Sequence, residues 1–208
     1  MDQLGFSLYL ITDRTAATRP PADIVEECLG AGLRAVQLRE KDLGVREMLA
    51  MSRALRESTR RHGARLIVND RADVALAADA DGVQRTHASL PVVALREISP
   101  PGFLIGASTH SLAESRQAEA DGADFVVFGP VYDTPSKRAF GAPQGLGALE
   151  TVAGAVSRPV IAVGGITPER VRDVLAAGAS GVAVIRGIYG AARPADATKA
   201  FLDALGTA

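Results

Sequence analysis

The chain has 208 residues, 47% of them hydrophobic, and its 23 Lys and Arg against 24 Asp and Glu give a net charge of −1. That length supports one well-buried core in a single domain spanning residues 1–208, and is short for two. The near balance of charge excludes recruitment of nucleic acid or a membrane by a global field, and 4% aromatics with no Trp argue against base-stacking platforms, so the expected partner is a small molecule.

A single cysteine, Cys28, leaves no disulfide framework and no thiolate metal site. Residues 1–5 carry no basic leader, and the apolar run 8–11 is too short for a signal core or a membrane span, so a cytoplasmic protein is expected. Nothing in the composition sets the oligomeric state, which leaves a homo-oligomer open.

Residues 7–12 (SLYLIT) predict a buried strand ending in polar Thr12, Asp13 and Arg14, and residues 21–31 a helix with Ile24, Val25, Cys28 and Leu29 on one stripe. The second strand is 34–38. Beyond it Gln37, Arg39 and Lys41 alternate with Leu38 and Glu40, which at period two puts three polar groups on one face, suited to an oxyanion-rich ligand or to a solvated strand end. An amphipathic helix over 44–61 leads to strand 65–68, which ends in Asn69 and Asp70. That pair either caps the helix expected over 72–78 or supplies a hard-cation ligand.

Strand four, 82–84, is followed by the turn 85–89 and a helix from about 91. Strand five, 103–107, ends in Ser108, Thr109 and His110, which either bond a ligand or cap the helix over 112–121. Strand six, 125–128, opens a long polar loop, 131–145, whose Thr134, Ser136 and Lys137 suit an anion-holding or closing segment. A helix over 146–156 precedes strand 159–163. The next unit is β-α-β: Thr167, Pro168 and Glu169 start a helix, Gly178 closes it, and strand 181–185 follows. Gly164 and Gly165 after one strand, and Arg186 and Gly187 after the next, offer backbone N–H groups to an anion, where barrels commonly hold phosphate, or simply make tight turns. A last helix covers 194–205.

Eight strands alternate strictly with eight helices, and AGLRAVQL, ADADGVQ, ADGADFVVFG and AAGASGVAVI form a weak repeat that ends each helix in small residues. A single-domain (β/α)8 TIM barrel of the α/β class follows. An open doubly wound sheet would place a Gly-rich fingerprint after strand one, where TDRTAATRP has none.

In order, YLITDR, QLREKD, IVNDR, IGASTH, FGPVYDTPSK, VIAVGGI and GVAVIRGI resemble the thiamine phosphate synthase family, which includes the related thiazole tautomerases. The resemblance runs nearly end to end. It implies that a hydroxymethylpyrimidine diphosphate loses diphosphate with Mg²⁺ and is captured by the nitrogen of a hydroxyethylthiazole phosphate. Carried onto this chain, it implies that Gln37 meets the pyrimidine or its diphosphate. Arg39, Lys41, Asn69, Ser108 and Lys137 hold the diphosphate, and Asp70 holds the metal. Thr134, Ser136, Gly165 and Gly187 hold the thiazole phosphate.

Two positions depart from the pattern. Ser89 stands where synthases of this kind look to carry a second metal carboxylate, and Arg186 replaces a small residue after strand eight, as a phosphate ligand or as a block. The tautomerase branch resembles this chain in lacking the second aspartate, but its histidine after the strand-six glycine is here Pro130. His87 and His110 remain candidate acid-base groups near the mouth. A tautomerase-like isomerase and a non-catalytic phosphate-binding relative are the alternatives.

Overall fold

A computed structural model describes residues 4–17, 19–134 and 142–206. The strands are β1 (Leu8–Ile11), β2 (Ala35–Leu38), β3 (Arg65–Asn69), β4 (Gly82–Arg85), β5 (Leu104–Thr109), β6 (Phe125–Phe128), β7 (Val160–Val163) and β8 (Gly181–Val184). All pair in parallel in chain order, and β8 closes on β1 through Leu8 opposite Val182, so the sheet is a closed barrel. Each strand returns through a helix on the outside: α1 (Pro21–Gly30), α2 (Val45–Arg61), α3 (Ala72–Ala77), α4 (Val92–Ile98), α5 (Leu112–Ala120), α6 (Gly145–Ala153) and α7 (Pro168–Ala176). A single turn, α8 (Arg186–Tyr189), precedes the last helix, α9 (Pro194–Leu205), which packs on α1 and α7.

Alternation along each strand divides the core in two. Val36, Val68, Val83, Ile105 and Val126 face outward and join the helix stripes, including Ile24, Val25, Cys28 and Leu29 of α1. Tyr9, Ile11, Ala35, Ile67, Phe125, Val127, Ile161 and Ala183 fill the barrel interior, with Leu4 and Phe6 packed among them. Phe6, Tyr9 and Phe125 lie with ring centroids 5.4 to 6.0 Å apart, two of the three pairs edge to face. Gly106 makes room for this cluster, since a Cβ there would fall 2.4 Å from the Phe125 ring and 2.5 Å from Gln84 Oε1.

Local signals explain where elements start. The Glu47 side chain accepts from the Gly44 N–H at 3.0 Å ahead of α2, and Gly178 at φ +89° follows the end of α7 as a left-handed C′ residue. Thr167 occupies the N-cap of α7 without a side-chain bond to the helix N–H groups. Cys28 is wholly buried between α1 and α9, and burial pushes its thiol up to about 11. No described helix is long and apolar enough to cross a membrane.

Candidate active site

In a parallel barrel the carboxyl ends of all strands share one rim, and the last inward side chains of each strand form its floor. Ile67 points inward, so alternation places Asn69 inward as well; Gln37, Gln84 and Ser108 likewise point inward toward the carboxyl ends of β2, β4 and β5. The register sets Asn69 opposite Gln84, and Gln84 Nε2 donates to Ser108 Oγ at 3.0 Å. Gln37 Nε2 donates to the buried Tyr9 hydroxyl at 3.1 Å. On the other side of the mouth the corresponding residues are Val127, Val163 and Ile185. The floor is thus polar under β2 to β5 and apolar under β6 to β8.

Gln84 Oε1 is buried without a hydrogen-bond partner in the protein. An orphaned acceptor at this depth costs stability unless a ligand or water supplies a donor, so it marks the polar half of the floor as a binding surface. The residue was readable from the inward alternation of β4, but nothing local in the sequence signalled its unpaired oxygen.

Asp70 follows at the end of β3, its N–H on the Gln84 carbonyl at 2.9 Å. It is one of two described non-glycine residues at positive φ (+67°), and its peptide makes a tight turn in which the Arg71 N–H bonds the Asn69 carbonyl at 2.8 Å. Such a conformation costs on the order of 1 kcal/mol or more and clusters at functional sites. Neither Asn69 nor Asp70 caps α3: its N-cap is Arg71, without a side-chain bond. The Asp70 carboxylate instead accepts from Ser89 Oγ and, at 3.4 Å, from Thr86 Oγ1, while Ser89 Oγ accepts from the Thr86 N–H at 2.7 Å. Ser89 therefore stands within hydrogen-bond reach of the β3 carboxylate.

Among the described residues no three His, Cys, Asp or Glu side chains gather as a metal cage. A lone carboxylate flanked by two hydroxyls fits Mg²⁺, which takes one or two carboxylates and fills its shell from water and phosphate oxygens.

The remaining candidates divide by position. β2 ends at Leu38, so period-two alternation fixes only Gln37; Arg39 is half-buried with its N–H on Thr12 Oγ1 at 2.9 Å, and Lys41 is exposed in the turn that follows. Between them Glu40 is buried. Its Oε2 accepts from the Arg14 N–H at 2.9 Å, its Oε1 has no partner, and burial raises its pKa against the pull of Thr12 and the Arg14 amide. Ser108 is free of capping because Ser111 caps α5, accepting from the Glu114 N–H at 3.2 Å. His110 is exposed with Nδ1 against the Gly129 carbonyl, and His87 is exposed.

Gly164 and Gly165, at φ +102° and +63°, serve a purpose other than leaving open space. A Cβ on Gly164 would lie 2.5 Å from Pro130 Cβ, and one on Gly165 2.6 Å from the Asp133 carbonyl oxygen. The glycines let the β6–α6 loop lie on the β7 end, held by Val131 N–H to Val163 O at 2.8 Å and Tyr132 N–H to Gly164 O at 3.0 Å. Arg170 ties both loops, donating to the Gly165 carbonyl at 2.6 Å with its guanidinium 4.4 Å from the Tyr132 ring centroid. Thr134 is half-buried at the end of this stretch, and Ser136 and Lys137 lie outside the described residues. Arg186 and Gly187 open the single turn of α8 and are exposed, with Gly187 against Val184 and Phe201.

A protein-family model described as thiamine monophosphate synthase matches residues 8–188. The chain is 47% identical to a putative thiamine-phosphate synthase of Geobacter sulfurreducens, over 97% of this chain and 95% of that one. It is 45% identical to a thiamine-phosphate synthase of Methanoculleus marisnigri, over 99% and 98% respectively. Among solved structures, the thiamine phosphate pyrophosphorylase from Pyrococcus furiosus superposes with a TM-score of 0.90 at 38% identity, covering 99% of this chain and 96% of that one. With the family match spanning nearly the whole barrel and both faces of its mouth, the chain belongs to the thiamine monophosphate synthase family.

Proposed function

We propose that this protein is a cytoplasmic thiamine phosphate synthase, joining hydroxymethylpyrimidine diphosphate to hydroxyethylthiazole phosphate with release of diphosphate. The observation that carries the reading is the strained Asp70 carboxylate above a half-polar floor, in a chain of this family. A strained carboxylate at the rim and an orphaned amide oxygen below it are costs to the empty fold, and substrate binding would offset them.

In this reading the pyrimidine diphosphate lies over β2 to β5. Gln37 and Gln84 bond the pyrimidine edge, and Asn69 and Ser108 bond diphosphate oxygens, with Arg39, Lys41 and Lys137 neutralising their charge. Asp70 would hold Mg²⁺, which when bound would supply positive charge beside the diphosphate. The C–O bond to diphosphate breaks, the electron pair leaves with it, and the thiazole nitrogen forms the new C–N bond at the same carbon. Fixed cations favour the charge that develops on the leaving group more than the ground state, so the barrier falls without a protein nucleophile.

The thiazole phosphate lies across the mouth at Thr134, Ser136 and the Gly165 and Gly187 amides, with Arg186 as an added cation. The apolar floor under β6 to β8 suits the thiazole ring. Pro130 after Gly129 offers no imidazole for tautomerisation, which favours the synthase over an isomerase.

The test is to incubate the purified protein with both phosphorylated precursors and Mg²⁺ and follow thiamine phosphate and diphosphate. Stoichiometric appearance of both is expected. Asp70→Asn, which tolerates the same backbone conformation, is expected to keep the fold and lower turnover about a hundredfold, in line with loss of one electrostatic stabiliser. Ligand binding without turnover would overturn the synthase reading in favour of a non-catalytic relative.

A further inference from the structure

The face of the barrel opposite the candidate site carries a second charged concavity, which the synthase reaction does not use. It is an open groove of about 450 Å³ where the amino ends of β2, β3 and β4 meet the last turns of α2. Arg34, Arg56, Arg60 and Arg65 line it, with Asp81 as the acidic side chain of its wall.

Asp81 has little acceptor capacity left. Its Oδ2 takes Arg56 at 2.6 Å and the Leu66 N–H at 2.8 Å, and its Oδ1 takes Arg65 at 3.2 Å. Arg60 pairs outward with the highly exposed Asp79. Arg34 donates at 3.3 Å to the neighbouring Leu33 carbonyl and forms no ion pair among the described residues. The Arg56 Nε is buried and has no acceptor at all. Four guanidinium groups thus line the groove against the single carboxylate of Asp81, Arg60 pairing with Asp79 outside the lining, and one of the buried donors is unsatisfied.

We infer that this groove is a binding site for a phosphate-class oxyanion, inorganic phosphate or diphosphate, separate from the candidate active site. The chemistry is that of guanidinium forks: planar paired donors match tetrahedral oxyanions, and a multivalent anion neutralises the excess positive charge that Asp81 and Asp79 leave. The site is built on strand starts and a helix end, and so is present before any ligand arrives. Because it lies at the amino ends of the strands, its occupant does not compete with a substrate at the carboxyl ends.

The experiment is an amide-resolved NMR titration of the intact protein, without Mg²⁺, with inorganic phosphate and inorganic diphosphate in separate arms. The Gly63 and Ala64 amides in the groove wall are the reporters. Saturable shifts with a midpoint near or below about 1 mM in at least one arm are expected, and the arm with the lower midpoint identifies the anion. Arg34→Gln/Arg60→Gln, two exposed positions, is expected to raise that midpoint at least tenfold while leaving thiamine phosphate formation unchanged. Arg39→Gln, at the opposite rim, is expected to leave the midpoint where it was. Absence of saturable shifts in both arms, or an unchanged midpoint in the double variant, would overturn the inference.

Discussion

Ser89 and Asp70 show how much one side chain can decide. The Ser89 hydroxyl donates to the Asp70 carboxylate, so replacing it with a carboxylate puts two like charges within hydrogen-bond reach. In Ser89→Asp the pair repels when no cation is present, and the melting temperature is expected to fall; Mg²⁺ bridging both groups is expected to restore it and to lower the Mg²⁺ concentration for half-maximal turnover about tenfold. A calorimetric scan with and without Mg²⁺ checks the first part, and a Mg²⁺ titration of the rate the second. An unchanged Mg²⁺ requirement would remove the account of the missing ligand.

Glu40 gives the pH dependence at the same scale. Burial holds its folded pKa above the ordinary carboxylate value of about 4.3, so the unfolded chain releases this proton at lower pH than the native one does. Stability from this group falls as pH rises from the unfolded to the folded pKa, and the cost is fully present above both. Glu40→Gln, which keeps an acceptor for the Arg14 N–H, is therefore expected to raise the urea midpoint near pH 8, with the gain shrinking toward pH 4. Equal gains at both values would show that the orphaned Oε1 costs stability for reasons other than charge.

At the scale of elements, the β6–α6 and β7–α7 loops form one unit. Gly165→Ala would press a Cβ onto the Asp133 carbonyl at a left-handed backbone position, and is expected to cost about 2 kcal/mol in a urea titration, with loss of the loop arrangement. Arg170→Ala leaves the backbone alone but frees the Gly165 carbonyl and the Tyr132 ring together. Its expected signature is a KM for the thiazole phosphate raised about tenfold, through loosened positioning, with the KM for the pyrimidine diphosphate unaffected. A uniform loss in kcat instead would show that the two loops do not act on one substrate.

Across the whole molecule, the alternation of apolar runs and helix stripes made the barrel legible, since every inward and outward residue of β1 to β8 follows from period two. The placement of site candidates was legible inside strands at Gln37, while Asn69 and Ser108, read as lying just past their strands, belong to β3 and β5. It was not where the chain leaves them: Arg39 and Lys41 lie past the end of β2, and alternation has no hold on a turn. The competition between capping and ligand binding at Asn69, Asp70, Ser108 and His110 was undecidable locally, because short polar side chains do both. Only the fold shows Ser111 taking the α5 cap and Asp70 turned toward Ser89. Gly164 and Gly165 read either as backbone offered to an anion or as tight turns, and the fold adds that they admit a neighbouring loop, a contact that depends on a segment about thirty residues earlier in the chain.

Cys28 has a consequence for how the molecule as a whole can be watched. It is the sole thiol in the sequence, it lies beneath α9 with no accessible surface, and its ionisation is pushed up to about 11. A disulfide reagent added to the native protein meets no thiolate until α1 and α9 part. The modification rate then serves as a clock for those openings, each counted once per molecule, with no label engineered into the chain.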